Sequence, residues 1–157
     1  MKITLLAVGQ TDLTYLKEGI AEYRKRLEHY VSFELKTIAP AKKTGNLPEE
    51  VQKKKEGDLI LKYISRSKSV VLLDENGMSF TSEKFSGFIQ KKMASGLKEL
   101  VFVIGGPYGF SQEVYEKVMD KISFSKMTFP HHLIRLIFLE QLYRAFTIIK
   151  GEPYHHD

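Results

Sequence analysis

The sequence predicts a single α/β domain, spanning residues 1–157, built on a mostly parallel sheet with helices on both faces. Three observations lead there. Strand-like and helix-like patterns alternate along all 157 residues, with no linker, repeat or low-complexity tract between them. The run Leu100-Val101-Phe102-Val103-Ile104 is apolar at every position, as expected of a strand covered on both sides. The chain has no Cys, with 43% hydrophobic and 27% charged residues. That balance supports a core without disulfide staples, and it excludes a disordered chain, a thiolate metal site and a Cys nucleophile.

Residues 2–8 form a short apolar run ended by Gly9, which reads as a buried strand. Thr11 and Asp12 offer a helix start, after which Leu13, Leu16, Ile20, Tyr23, Leu27 and Tyr30 recur at spacings of three and four, one face of a helix. From residue 32 to 38 the period becomes two, with Phe33 and Leu35 opposite Glu34 and Lys36, and Pro40 ends this second strand. A basic stretch, residues 42–68, begins as a loop through Thr44-Gly45-Asn46 and turns helical after Pro48. Its eight Lys and Arg (Lys42, Lys43, Lys53, Lys54, Lys55, Lys62, Arg66 and Lys68) read first as a solvated face and, as a group, as a surface that steers RNA.

Residues 69–73 form a third strand, followed by Asp74-Glu75-Asn76-Gly77 as a turn. Ser82 is positioned to cap a helix carrying Phe85, Phe88, Ile89, Lys92 and Met93 on one face. Residues 99–104 are the fourth strand, running directly into Gly105-Gly106-Pro107-Tyr108-Gly109. Ser111 opens a helix bearing Val114, Val118 and Met119, residues 122–128 make a fifth strand, and Pro130 opens a last helix from about residue 131 to Lys150, stopped by Gly151.

The glycine-rich turn after the fourth strand admits a ligand close to backbone N–H groups, at the strand ends where open α/β sheets gather ligands. It also fits a tight turn that needs positive φ. It is neither a phosphate-binding loop closed by Gly-Lys-Ser/Thr nor the dinucleotide fingerprint, so a nucleotide-binding oxidoreductase finds no support. The last helix is apolar around most of its circumference, which points to a central position or a homodimer seam. Glu140 and Arg144 are spaced for an intrahelical ion pair, while Arg144 or Arg135 at a subunit seam would reach a phosphate or base. Of five His, four fall in the adjacent pairs His131-His132 and His155-His156, a spacing that does not converge on one ion, so no metal is expected. The net charge of +5 favours polyanionic partners. No run reaches the length of a membrane span and no cleavage site follows Met1, from which a soluble, cytoplasmic protein is expected.

Four segments, in order, carry a resemblance: Ile104 through Gly109, Ser123 through His131, Glu140-Gln141-Leu142-Tyr143-Arg144-Ala145, and Gly151-Glu152-Pro153-Tyr154-His155. With the opening nine residues and Ala21-Glu22-Tyr23, they closely resemble the bacterial large-subunit rRNA methyltransferase H family, of the SPOUT class, over essentially the whole chain. The resemblance implies a homodimer whose carboxyl-terminal part is threaded into a trefoil knot holding S-adenosylmethionine, which leaves as S-adenosylhomocysteine. It implies N3-methylation of a pseudouridine in helix 69 of 23S rRNA on the assembled 70S ribosome, with RNA rather than DNA as partner and no membrane. Carried over by position, the cofactor contacts are Leu73, Gly105, Phe124, Ser125, Lys126, Met127, Thr128 and Phe129.

Methyl transfer from a sulfonium asks mainly for positioning, while the imino N3 of the base has to lose a proton. Given that reaction, His155 or an associated water is expected to take that proton, with Tyr154 and Arg144 positioning the base and steadying its developing anion. The bland alternative has Tyr154 and His155 only ordering the chain end. Relatives in the family commonly carry Lys or Arg after the His of Pro-Tyr-His, where this chain has His156 and Asp157, so a terminal basic contact to RNA would depend on protonation of His156. Arg24, Lys42, Lys43 and Lys53 to Lys55 would meet phosphates, and specificity would come from the shape of the ribosomal site. A protein of the same fold that binds RNA without transferring methyl is the alternative from another class.

Overall fold

The computed structural model describes residues 1–41, 47–67 and 69–156. Ten elements alternate along the chain: β1 (Lys2–Val8), α1 (Thr14–Leu27), β2 (Ser32–Ile38), α2 (Glu49–Ile64), β3 (Val70–Ser79), α3 (Ser82–Ala94), β4 (Glu99–Ile104), α4 (Gln112–Lys117), β5 (Lys121–Ser123) and α5 (Leu133–Lys150). The five strands form one sheet in the order β2-β1-β4-β3-β5, every neighbouring pair parallel. Central β1 and β4 bury almost every side chain, as their largely apolar sequences require, whereas β2 lies at an edge and buries none of its residues fully.

Period-two alternation divides the strands between two cores. Leu5, Ala7, Leu100, Phe102 and Val71 face α1, α3 and α5, where Phe138, Leu142, Phe146, Phe85 and Ile89 cover them. Leu6, Val8, Leu72, Val101 and Val103 face α2 and α4, against Ile60, Ile64, Val114 and Phe110. Helices therefore lie on both faces, as the sequence predicts. Burying each Leu or Phe of these layers contributes about 1.5–3 kcal/mol against chain entropy.

Element ends differ from the sequence reading where a polar side chain has a better partner elsewhere. Neither Thr11 nor Asp12 caps α1, whose N-cap is Leu13; the Thr11 hydroxyl instead accepts a hydrogen bond from Arg135 Nη1 at 2.9 Å. In α3 the cap is Thr81, whose Oγ1 accepts from the Lys84 N–H, and the Ser82 hydroxyl donates across to Gln141 on α5. Helix α4 ends at Lys117, so Val118 packs into the core from outside the helix and Met119 stands 83% exposed. Helix α5 starts at Leu133, after the His pair, and stops at Gly151, whose φ of 68° closes the end as expected.

Two corrections shape the region beyond the strand ends. Asp74-Glu75-Asn76-Gly77 is not a turn that ends the third strand. It is an excursion inside β3, which pairs with Ile122 through Leu73 and again through Met78. Asp74 Oδ1 accepts from the Asn76 N–H at 2.8 Å, so the turn-forming chemistry is spent locally while the strand resumes beyond it. Gly77 permits the return, since a Cβ there would lie 2.7 Å from backbone atoms of Lys121 and Ile122. The fifth strand ends at Ser123 rather than Thr128. The Ser123 hydroxyl donates to the Ser125 carbonyl, and the Ser125 hydroxyl accepts from the Met127 N–H, bonds that turn residues 124–132 out of the sheet.

Candidate functional site

Both excursions open onto one cleft of about 470 Å³, beside the excursion within β3 and at the carboxyl ends of β4 and β5. Of the eight cofactor residues expected from sequence, Leu73, Gly105, Phe124, Ser125, Met127, Thr128 and Phe129 line it; Lys126 does not. The two readings of the glycine-rich segment meet here. Gly106 and Gly109 form an antiparallel bridge, closed by the Gly109 N–H donating to the Gly106 carbonyl at 3.1 Å, with Gly109 at φ +76°. Gly105 lies under this turn, where a Cβ would sit 2.9 Å from the Gly109 carbonyl oxygen. The turn therefore makes the floor of the cleft, and its shape depends on the missing side chains.

The charge of the cleft is opposite to that of the whole chain. Glu49, Asp74 and Glu75 line it, and no Lys or Arg does so among the described residues. Asp74 Oδ2 accepts from the Tyr115 hydroxyl at 2.5 Å, and burial together with this bond raises the tyrosine well above the usual phenol range. The Thr128 hydroxyl donates to Glu75, joining the loop after β5 to the excursion in β3. A cleft of this composition suits a ligand that carries positive charge and disfavours a phosphate.

His131 also lines the cleft. Burial, with His132 and Arg135 close by, pushes it down to about 4, so the imidazole is neutral. The linkage has a definite sign. The unfolded chain takes up a proton near 6.5 and the folded chain only near 4, so stability is present above that window and lost as pH falls through it. His131→Gln is expected to flatten this acid limb, measured as the change in urea midpoint between pH 7 and pH 4.5; an undiminished limb would assign it to other groups.

Arg135 does not reach a seam or a ligand. It is fully enclosed, donating to the Val8 carbonyl at 2.6 Å and to Thr11, and burial lowers it to about 10. Its place is to tie the end of β1 to α5.

Arg144 and Tyr154 gather on Glu140 near the middle of α5, and His155 reaches the same cluster through Arg144. The expected ion pair forms, with Arg144 Nη2 at 2.6 Å and Nε at 3.1 Å from Glu140 Oε1. The Tyr154 hydroxyl donates to the same oxygen at 3.1 Å, and the Arg144 guanidinium lies 4.7 Å from the Tyr154 ring centroid. Burial first, then Tyr23 and Glu140, holds the Tyr154 phenol far above its ordinary range. His155 Nδ1 lies 3.4 Å from Arg144 Nη1, and its Nε2 lies 2.7 Å from Glu83 Oε1. A guanidinium only donates, so Nδ1 is the acceptor and Nε2 carries the proton given to Glu83. Thr81 and His155 together hold the Glu83 carboxyl at about 2. Glu83, remote in sequence, carries no periodicity or motif that marks it as an orienting group, and Tyr23 is marked only as part of the apolar face of α1 and of the segment Ala21-Glu22-Tyr23.

This cluster and the cleft are apart within one chain. Helix α5 meets the cleft at Ile134, and Arg144 lies ten residues further, about 15 Å along the axis. On α5, Leu133, Ile137, Arg144 and Ile148 share one face at offsets of 4, 11 and 15 residues, and all four are half-buried. Among the expected RNA contacts, Arg24 and Lys55 are exposed, whereas Lys53 pairs with Glu50 and Lys54 with Glu113. Lys42, Lys43 and Lys68, the expected loop 44–46 and Asp157 lie outside the described residues.

No helix among the described residues is long and apolar enough to cross a membrane. A family model described as "Predicted SPOUT methyltransferase" matches residues 1–155. Among curated proteins, the chain is 59% identical over 156 residues to a ribosomal RNA large subunit methyltransferase H of Christiangramia forsetii, covering 99% of each. It is 55% identical over 157 residues to the protein so named in Parabacteroides distasonis, covering 100% of each. Among solved structures, a tRNA methyltransferase from Aquifex aeolicus shares the fold at a TM-score of 0.55 and 15% identity, over 100% of this chain and 76% of that one. A putative methyltransferase from Legionella pneumophila, solved with the cofactor SAM bound, matches at a TM-score of 0.51 and 11% identity, over 92% and 66%.

Proposed function

The chain belongs to the SPOUT methyltransferase family, and on that premise we propose that it methylates N3 of a pseudouridine in helix 69 of 23S rRNA on the assembled 70S ribosome. Its relatives make it an S-adenosylmethionine-dependent rRNA methyltransferase. The observation that carries the cofactor reading is the cleft. It has the volume of a small-molecule site, a glycine floor that a Cβ would fill, and carboxylates in place of basic residues. That is the composition for a sulfonium and against a nucleotide phosphate.

Leu73, Gly105, Phe124, Ser125, Met127, Thr128 and Phe129 would hold the cofactor, with the knotted threading of the family at that end of the sheet. When bound, the cofactor supplies a methyl on a positively charged sulfur, open to in-line displacement. The chain's own residues then have three tasks. The cleft wall fixes the direction of attack, which supplies much of the rate. Arg144, already oriented by Glu140, steadies the negative charge that develops on the base. His155, with its proton on Nε2 given to Glu83, would take the N3 proton on Nδ1, directly or through a water, once Arg144 Nη1 turns from that nitrogen to the base.

Because cleft and cluster are separate in one chain, we assign the working site to a homodimer, in which the cleft of one subunit meets the Arg144 cluster of the other. The half-buried face of α5 that carries Arg144 supports that seam. Exposed Arg24 and Lys55, from both subunits, would meet phosphates and position the particle without reading sequence.

The test is transfer of tritiated methyl to 70S ribosomes from cells lacking this activity, with free rRNA and separate large subunits as comparisons. Incorporation confined to 70S particles and mapped to the helix-69 pseudouridine is the expected result. Cofactor binding without incorporation into any substrate would replace this reading with that of a non-catalytic RNA-binding protein. In the same assay His155→Ala at saturating cofactor is expected to lower turnover, and an unchanged rate would remove the proton-acceptor role.

A further inference from the structure

Helix α2 carries a carboxyl that the reaction above does not use. Glu56 is only 1% exposed in the middle of the helix. Gln52 Nε2 donates to its Oε1 at 3.0 Å, while Oε2 is buried without a hydrogen-bond partner. That oxygen is aimed at the floor of the cleft: a Cβ on Gly106 would lie 2.2 Å from it. A half-satisfied buried carboxyl is costly, and Gln or Leu would pack the same space for less. Gly105 and Gly106 have no side chains, so little more than the backbone of the turn separates this group from the ligand volume. Glu49, Asp74 and Glu75 add charge of the same sign from the open side.

We propose that Glu56 is a specificity-determining residue that makes the cleft favour the positively charged sulfonium cofactor over its uncharged thioether product. The inference rests on the S-adenosylmethionine reading of the cleft. During transfer the sulfur gives up its methyl and its positive charge together, and the base gives up the N3 proton, so the ligand in the cleft changes by one unit of charge while keeping nearly the same shape. A fixed negative group behind the floor interacts with the first form and hardly with the second. It therefore holds the cofactor before transfer and relinquishes the product after it. Removing the charge while keeping the volume separates this role from a structural one. Loss of packing weakens both ligands alike, whereas loss of a field weakens only the charged one.

The experiment is isothermal calorimetry of the full chain with S-adenosylmethionine and with S-adenosylhomocysteine, for wild type and Glu56→Gln, thermal melts checking the fold. The expected result is that the affinity ratio of cofactor to product falls about fivefold in the variant, the order expected when one nearby charge is removed, with product affinity nearly unchanged. Should Glu56→Gln not fold, Gly106→Ala carries the same test, because its methyl displaces the flexible end of Glu56 from the floor and is expected to move the ratio in the same direction. A ratio equal to that of wild type, whether both affinities fall or neither does, overturns the proposal. Failure of wild type to bind either ligand overturns the cofactor reading and the proposal with it, an outcome distinct from the unchanged ratio.

Discussion

Gly105→Ala is expected to weaken cofactor binding by about 10- to 100-fold while leaving the chain folded. The added Cβ would stand 2.9 Å from the carbonyl oxygen of Gly109, 3.0 Å from its carbonyl carbon and 3.3 Å from the Phe110 ring. Two of these atoms are backbone. They are held by the bridge between Gly106 and Gly109, so relief has to come from moving the turn that floors the cleft. Overpacking of this kind costs about 1–3 kcal/mol, and each 1.4 kcal/mol is tenfold in affinity when the strain falls on the bound conformation. Gly87→Ala in α3 is the control, since nothing lies within 4 Å of a Cβ there. Calorimetric titration of both variants with S-adenosylmethionine checks the expectation. Equal affinities for Gly105→Ala and wild type would show that the turn yields, and the Gly105 part of the site would have to be withdrawn.

The elements legible in the sequence are those whose partners are generic. Strand β4 could be read because Leu100 to Ile104 need only apolar cover, and any helix supplies it. Helix α2 could be read because Pro48 opens it locally. Structure and sequence pattern part where a polar group chooses between a local and a distant partner. Thr11 looks like a helix cap, but the buried guanidinium of Arg135, 124 residues away, takes its hydroxyl. Asp74-Glu75-Asn76-Gly77 has the composition of a turn and makes one, yet the strand resumes because Gly77 lets β5 approach to 2.7 Å of a Cβ position. No periodicity carries that information. The same division runs through the site. Gly105 and the loop after β5 lie at strand ends, where a sheet gathers ligands, so the strand pattern points to them. Arg144 and Glu140 announce themselves by their spacing of four. Glu83 and Glu56 are invisible before the fold brings α3 beside the chain end and α2 beneath the glycine turn.

Arg144→Ala is expected to lower the turnover number by about 10²- to 10³-fold, the cost of removing one preorganised donor from a developing anion, with affinity for S-adenosylmethionine unchanged. The affinity should hold because Arg144 is assigned to the base, while the cleft that takes the cofactor has no Arg among its described lining residues. The separation of cleft and cluster in one chain gives the variant a second use. If the cleft of one subunit works with the Arg144 cluster of the other, Arg144→Ala and Gly105→Ala damage opposite halves of a shared site. Unfolded together and refolded as an equal mixture, the two chains form heterodimers in about half of the dimers, each with one intact site of two, so about a quarter of wild-type activity returns. The intact site pairs the undamaged cleft of the Arg144→Ala chain with the undamaged cluster of the Gly105→Ala chain. The measurement is tritiated methyl transfer to 70S particles by each variant alone and by the refolded mixture. Activity in the mixture no greater than the mean of the two variants would place cleft and cluster in separate functions and leave Arg144, with Glu140 and Tyr154, as the anchor of the chain end.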